Sequence, residues 1–126
     1  MNAMYQIVPE RERNLIRVTM AGFFSKEEVA AFGKDYREAL AELLSPGHLT
    51  LVDIREMKIQ SQEVVAAFSS HMASPGIQSH KLAFVCSSSL ARLQAQRLTD
   101  RENVEFFDLL DEAEQWLLAT TVRPHL

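Results

Sequence analysis

Two short apolar runs constrain the fold of this chain more than any other feature of its sequence. They are Leu49–Ile54, which reads LTLVDI, and Lys81–Cys86, which reads KLAFVC. Runs of this length with so few polar residues are typical of strands covered on both faces. Serines and then residues with helical spacing follow each run, so the sequence predicts strand–helix units and parallel strand neighbours.

The residues before these runs predict a hairpin and a helix. Met4–Val8 is rich in β formers, and Leu15–Met20 alternates apolar with polar side chains after a charged turn. This pattern predicts two antiparallel strands. Ser25 and Glu28 have the spacing of a capping box, and the helical spacing behind them stops at Ser45-Pro46-Gly47.

The remainder predicts three more helices and one more strand. The predicted segments are Ser61–Ala73, Leu90–Leu98 and Val104–Phe107, followed by a terminal helix with inward-facing Ala113, Trp116 and Leu117. Asp111 and Glu114 are predicted to cap that last helix. The order is β-β-α-β-α-β-α-β-α, which predicts one α/β domain over residues 1–126, with a mixed sheet flanked by helices.

Composition narrows the class of protein. A chain of 126 residues with 47% hydrophobic residues can bury a core without disulfides. The net charge is −4 and no basic block occurs, which argues against nucleic-acid binding and against docking on an anionic membrane. The apolar runs are too short to span a membrane and the N-terminus lacks a secretory signal, so we predict a cytoplasmic protein.

The element order resembles the STAS fold of the sporulation anti-sigma factor antagonists, the SpoIIAA-like fold. Leu51-Val52-Asp53-Ile54 is similar to the strand ending in Asp-Leu that precedes the regulatory loop in that family. An Asp-Ser-small-Gly motif follows there, and a partner kinase phosphorylates its Ser. Counting from Asp53 places Gln62 at the phosphorylated position and Ser61 at the preceding Asp. No Gly follows, and Ser61 matches only after a shift of one residue.

The chain is more similar to an uncharacterised bacterial branch of SpoIIAA-like proteins that resembles both STAS and CRAL-TRIO folds. The segments that carry this resemblance are Gln60-Ser61-Gln62-Glu63, Ala91–Arg97, and Asp111–Glu114 with Trp116-Leu117. The branch has no assigned reaction, and the sequence contains no complete catalytic, metal or nucleotide motif. We therefore predict no catalytic residues, no metal and no cofactor.

The carboxyl ends of the parallel strands are the predicted working edge, because ligands of open α/β sheets bind there. Three loops are expected to meet at this edge: Asp53–Ser61, Cys86–Ser89 and Asp108–Asp111. The first is the predicted partner or regulatory loop, with Asp53, Arg55, Glu56, Ser61 and Gln62. Ser61 has two interpretations, a phosphorylation or partner site and a plain helix N-cap, and we favour the cap.

Ser87, Ser88 and Ser89, with Arg92 one turn further on, form a second candidate, for binding an anion at a helix N-terminus. The alternative is again capping, which we favour because phosphate loops usually contain glycine. The lone cysteine, Cys86, can be interpreted as an activated thiol or as a buried core residue, and we favour the core residue. No metal-ligand spacing joins the histidines, which are His48, His71, His80 and His125.

Three functional hypotheses follow. The first is a regulatory module that binds a protein partner through the Arg55–Gln62 loop and the helix beginning at Ser61. The second, implied by the CRAL-TRIO resemblance, is a carrier or sensor of a small apolar ligand, which needs an apolar pocket of several hundred Å³. The third, an enzyme built on Cys86 or Asp53, has little support in the sequence. A homodimer is also expected, on a face that the sequence does not identify.

Overall fold

The computed structural model describes residues 3–45, 47–99 and 101–119, which form five strands and four α-helices. The strands are β1 (Met4–Glu10), β2 (Leu15–Gly22), β3 (Leu49–Met57), β4 (Lys81–Val85) and β5 (Val104–Phe107). The helices are α1 (Lys26–Leu40), α2 (Gln62–Met72), α3 (Ser89–Gln96) and α4 (Leu110–Leu118). Helix α1 ends at Leu40, before the predicted stop at Ser45-Pro46-Gly47. Pro46 and the ends of the predicted domain, 1–2 and 120–126, lie outside the described residues.

The strands lie in the order β1-β2-β3-β4-β5, with β1 antiparallel to β2 and all other pairs parallel. The predicted hairpin, element order and mixed sheet are thereby confirmed. Asn14 closes the hairpin with a φ of 50°, a left-handed conformation that Asn tolerates. Its side-chain amide binds the backbone of Leu44 in both directions, at 2.9 and 2.8 Å, and so joins the hairpin to the segment after α1.

The two faces of the sheet are covered differently. Helices α1, α2 and α3 share one face, where they pack on alternate residues of β2, β3 and β4. Tyr5, Phe24, Phe32 and Phe68 form an aromatic cluster beneath α1 and α2, with ring centroids 5.3 to 6.4 Å apart. Helix α4 covers the other face with Ala113 and Leu117 against Leu15, Leu51, Ala83 and Val85.

Serine caps begin the first three helices. Ser25 and Glu28 form the predicted capping box, with bonds of 3.1 and 2.8 Å between side chain and backbone amide. Ser61 accepts the amide of Val64 at 3.2 Å at the start of α2. Ser88 similarly accepts the amide of Ala91 at 3.1 Å at the start of α3. None of the helices in the described part of the chain is long and apolar enough to cross a membrane.

The predicted capping pair of α4 is wrong. The helix begins at Leu110, after an N-cap, Leu109, that makes no side-chain capping bond. Glu114 instead accepts from Nη2 of Arg17 at 3.1 Å, because this half-buried arginine on β2 needs carboxylate partners. The inward faces of Ala113 and Leu117 are confirmed, and Trp116 packs against Phe107 with ring centroids 5.8 Å apart.

Candidate functional site

The carboxyl ends of β2–β5 lie at one edge of the sheet, since these strands are parallel. The loops predicted to meet at this edge are therefore placed together. Ser87 donates a hydrogen bond of 3.0 Å from its hydroxyl to the carbonyl oxygen of Arg55, which joins the loop after β4 to the end of β3.

The carboxylate of Asp53 is paired with the guanidinium of its neighbour Arg55. The guanidinium donates from Nε at 3.0 Å and Nη2 at 2.8 Å, and the Arg55 amide donates at 3.1 Å. Burial alone would raise the pKa of Asp53, but these hydrogen bonds outweigh it and hold the pKa below its usual value. Asp53 is thus an ionised carboxylate held in a local pair, and this arrangement does not support a general base.

The predicted bounds of the regulatory loop are wrong at their start: β3 continues to Met57, where it still pairs with β2, so Asp53, Arg55 and Glu56 lie on the strand. Glu56, Ser61 and Gln62 are exposed, and Gln62 is the first residue of α2. The cap made by Ser61 agrees with the simpler of its two interpretations. Phosphorylation of Ser61 and docking of a partner on this loop stay predictions.

The three serines after β4 have separate roles. Ser88 caps α3, Ser87 binds Arg55, and Ser89 is the exposed first residue of α3. Arg92 donates to the carboxylate of Asp108 at 3.0 Å and to the carbonyl of Phe106 at 3.1 Å. An anion at this site would compete with Asp108 for Arg92, and anion binding here stays a prediction.

Cys86 is buried, with 1% of its surface exposed. Burial raises the pKa of its thiol, and the opposing effect of the nearby Arg92 charge is smaller. A raised pKa disfavours the thiolate, which is the nucleophilic form. Among the described residues no group of three His, Cys, Asp or Glu side chains could hold a metal ion, and His125 lies outside them.

A cavity of about 90 Å³ lies between the sheet and helices α1, α2 and α3. Its walls are mainly apolar side chains, such as Val52 and Phe84 of the sheet and Phe68 and Ala95 of the helices. It extends along β3 from Thr50 to Ile54, a distance of about 13 Å at roughly 3.3 Å per residue. The interior of the protein is therefore not fully packed.

Gln60 closes the end of the cavity near the carboxyl edge. Its side chain accepts the amide of Phe24 and donates to the carbonyl of Gly22, both at 2.8 Å. Its backbone amide donates to Gln94 Oε1 at 2.8 Å, and its carbonyl accepts from Gln94 Nε2 at 3.0 Å. One buried glutamine thus joins the end of β2, the loop before α2, and α3.

The opposite end of the cavity, near the amino ends of the strands, is polar. Tyr36 Oη lies 2.9 Å from Thr50 Oγ1, which lies 2.6 Å from Ser79 Oγ. Arg101 donates from Nη2 to the carbonyl oxygen of Ser79 at 2.7 Å. We call Tyr36, Thr50, Ser79 and Arg101 the polar end of the cavity.

His71 of α2 also lines the cavity and faces two rings of α1. Its ring lies edge-on to Phe32 and Tyr36, with centroid distances of 5.6 and 5.4 Å. Burial, aided by the charge of Arg37, lowers the pKa of His71 to about 4, so the ring is neutral at neutral pH. A Cβ on Gly33 would lie 3.1 Å from Nδ1 of His71, so glycine lets the two helices approach.

The polar end is not among the sites predicted from the sequence. Its residues come from α1, from β3, from the segment before β4 and from the segment after α3. No local spacing in the sequence connects them. Thr50 is the sequence feature that could have indicated the polar end, because it is a polar residue within the apolar run LTLVDI. In the structure it is 2% exposed. A polar residue at a buried strand position requires a partner from elsewhere in the fold.

This arrangement of sheet and helices is the SpoIIAA-like α/β fold, as predicted. The structure is similar to that of an uncharacterised protein of the DUF3478 family with a SpoIIAA-like fold from Shewanella loihica PV-4. The TM-score is 0.68 and the identity 21%, over 92% of this chain and 94% of that one. No protein-family model and no curated protein matches the sequence. At this identity the similarity establishes the fold alone.

Replacing Gln60 by alanine should destabilise the protein by about 2–4 kcal/mol, because the buried amide of Phe24 and carbonyl of Gly22 lose their partners. The free energy of unfolding in urea measures this loss. Gln62→Ala is the matched control, since Gln62 is exposed, and should change the value by less than about 0.5 kcal/mol. Equal effects of the two variants would contradict the role assigned to Gln60.

The stability of the protein should fall as the pH is lowered from 6.5 towards 4. The folded state holds the pKa of His71 near 4 against an ordinary value of 6.5, so the unfolded chain binds more protons in this range. The stability that depends on a neutral His71 is fully present above pH 6.5 and is lost as the pH falls towards 4. It should amount to about 1–2 kcal/mol after allowance for the partial exposure of the ring.

His71→Phe keeps an aromatic ring against Phe32 and Tyr36 and should flatten this pH dependence, measured by urea unfolding at several pH values. A smaller dependence of the unfolding free energy on pH will remain, because burial also lowers the pKa of His48. The exposed His80 provides the control variant His80→Phe, which should retain the wild-type slope. An unchanged slope in His71→Phe would show that His71 is not responsible.

Proposed function

We propose that this protein is a non-enzymatic binding module that holds a small apolar molecule, or the apolar end of a larger one. The supporting observation is the cavity of about 90 Å³ between the sheet and α1–α3. This was the second hypothesis from the sequence, but the cavity is smaller than the several hundred Å³ expected there, so the ligand proposed is smaller too. An enzyme is less well supported, because the thiol of Cys86 is buried and the carboxylate of Asp53 is held by Arg55.

The size of the cavity limits its ligand. Pockets for drug-sized molecules measure roughly 300–1,000 Å³, and an apolar cavity of about 150 Å³ takes up benzene. A cavity of about 90 Å³ therefore suits a short hydrocarbon group. Its walls consist mainly of apolar core side chains. An apolar ligand therefore buries few polar groups of the protein when it binds, and few hydrogen bonds to water are lost.

Filling the cavity should abolish binding without unfolding the protein. Ala95 is 2% exposed and lines the cavity, so Ala95→Leu places additional carbon atoms in the empty volume. 1-Butanol and 1-hexanol are suitable probes, with affinity followed by chemical-shift changes in NMR titrations. We expect both probes to bind the wild type, and Ala95→Leu to weaken them at least about tenfold, the equivalent of losing some 1.4 kcal/mol.

Ala66→Leu is the control, because Ala66 lies exposed on α2 outside the cavity. It should leave the affinity of both probes unchanged. Ala91→Leu provides a second cavity-lining change in case Ala95→Leu disturbs the packing of α3. Failure of the wild type to bind either probe would reject the proposal, as would full affinity in both cavity variants.

A protein partner on the loop before α2 is the second candidate function. It is supported by the exposure of Arg55 and Glu56 at the end of β3 and of Ser61 and Gln62 at the start of α2. Ile59, in the loop between them, is an apolar side chain that is 41% exposed. Exposed apolar side chains beside charged ones are common in protein-binding surfaces. The homodimer and the cytoplasmic location predicted from the sequence stay predictions.

The double variant Glu56→Arg/Gln62→Arg should prevent capture of such a partner while the fold is retained, since both side chains are exposed. Capture from an extract of the native cell, compared between wild type and variant, measures the effect. Gln78→Arg/Glu105→Arg changes two exposed residues elsewhere and is the control. A protein captured equally by all three forms, or by none, would argue against docking on this loop.

A further inference from the structure

We infer that the ligand of the cavity carries a carboxylate and that this group binds at the polar end, to Tyr36, Thr50, Ser79 and Arg101. The inference rests on the proposed function, because it names the head group of the same apolar ligand. The supporting observation is the guanidinium of Arg101, which lines the cavity and has no carboxylate partner among the described residues.

The hydroxyl groups at the polar end form a buried cluster beside the cavity. Tyr36, Thr50 and Ser79 are only 5%, 2% and 8% exposed, and their hydroxyl contacts measure 2.9 and 2.6 Å. Tyr36 also pairs with Ser79, so the three hydroxyl groups can satisfy one another without a ligand. Because a hydroxyl group rotates and both donates and accepts, one of them can turn its hydrogen to a ligand oxygen.

Arg101 makes the polar end positively charged. One of its terminal nitrogens donates to the Ser79 carbonyl, and the guanidinium has further N–H groups available. No carboxylate in the described ranges pairs with it. A planar guanidinium matches a carboxylate in shape and offsets its one negative charge. A phosphate group carries more charge and more acceptor oxygens than one guanidinium can satisfy.

The other end of the cavity is also lined by a cation, Lys58, but this side chain is exposed, so water screens its charge more than that of the half-buried Arg101. The side-chain amides of Gln60 and Gln94 are occupied by backbone groups. The ligand is therefore oriented, with its head at the amino ends of the strands and its hydrocarbon part along β3 towards Ile54. The volume of about 90 Å³ points to a short-chain acid.

Calorimetric titration of the full chain with hexanoate and with 1-hexanol tests the head group. We expect hexanoate to bind at least about tenfold more tightly than 1-hexanol, as a charge-assisted contact would give. Affinity should rise about fourfold per methylene from butanoate to hexanoate, as each group becomes buried. Equal affinities of the wild type for hexanoate and 1-hexanol would overturn the inference.

Arg101→Met should remove the preference for hexanoate and leave the affinity for 1-hexanol within about twofold, since only the charged contact is lost. Arg97→Met is the matched control, because Arg97 is an exposed arginine at the end of α3 that does not line the cavity. It should keep the wild-type preference. Retention of the full preference in Arg101→Met would overturn the inference.

Two further variants test the inference if Arg101→Met does not fold. Arg101→Lys keeps the charge without the planar group, so hexanoate should bind more weakly than to the wild type but still better than 1-hexanol. Tyr36→Phe removes one hydroxyl and should weaken both ligands several-fold. Unchanged hexanoate affinity in both variants would overturn the inference. If 1-butanol and 1-hexanol bind without a preference for hexanoate, only the head group is wrong. If no probe binds, the proposed function fails as well.

Discussion

The right-handed connection between parallel strands is the constraint on which the rest of this structure depends. Strands β2 to β5 lie side by side in chain order, so each right-handed crossover returns its helix to the same face of the sheet. Helices α1, α2 and α3 consequently share one face, and α4 is left to cover the other. The cavity lies in the layer between the sheet and these three helices.

The contacts that keep the cavity in place are polar bonds at its margins. Gln60 and Gln94 join the loop before α2 to α3 near the carboxyl edge. Ser69 donates to the carbonyl of Leu98 at 3.0 Å and joins α2 to the residues after α3. Each buried polar group here holds a neighbouring element at a fixed distance, because breaking its bonds would leave unpaired donors and acceptors. The apolar walls between these bonds can then remain incompletely packed.

Much of the fold could be predicted from residues close together in the chain. The capping box at Ser25, the cap at Ser61 and the apolar run LTLVDI are local signals, and each is found in the predicted element. The capping pair predicted at Asp111 and Glu114 failed for a non-local reason. Glu114 is drawn to Arg17, a residue far away in the chain, and the electrostatics of that half-buried arginine overrides the local pattern.

The sequence by itself determined the order of the strands and helices and the carboxyl edge at which its loops meet, because caps, periodicity and apolar runs act over a few residues. Only the tertiary structure decided which polar residues share a site. Tyr36, Thr50, Ser79 and Arg101 come from four separate segments, and their hydroxyl and guanidinium groups meet because the layer of helices closes over the sheet. The empty volume was likewise undetermined by sequence, since it depends on how closely helices and sheet pack.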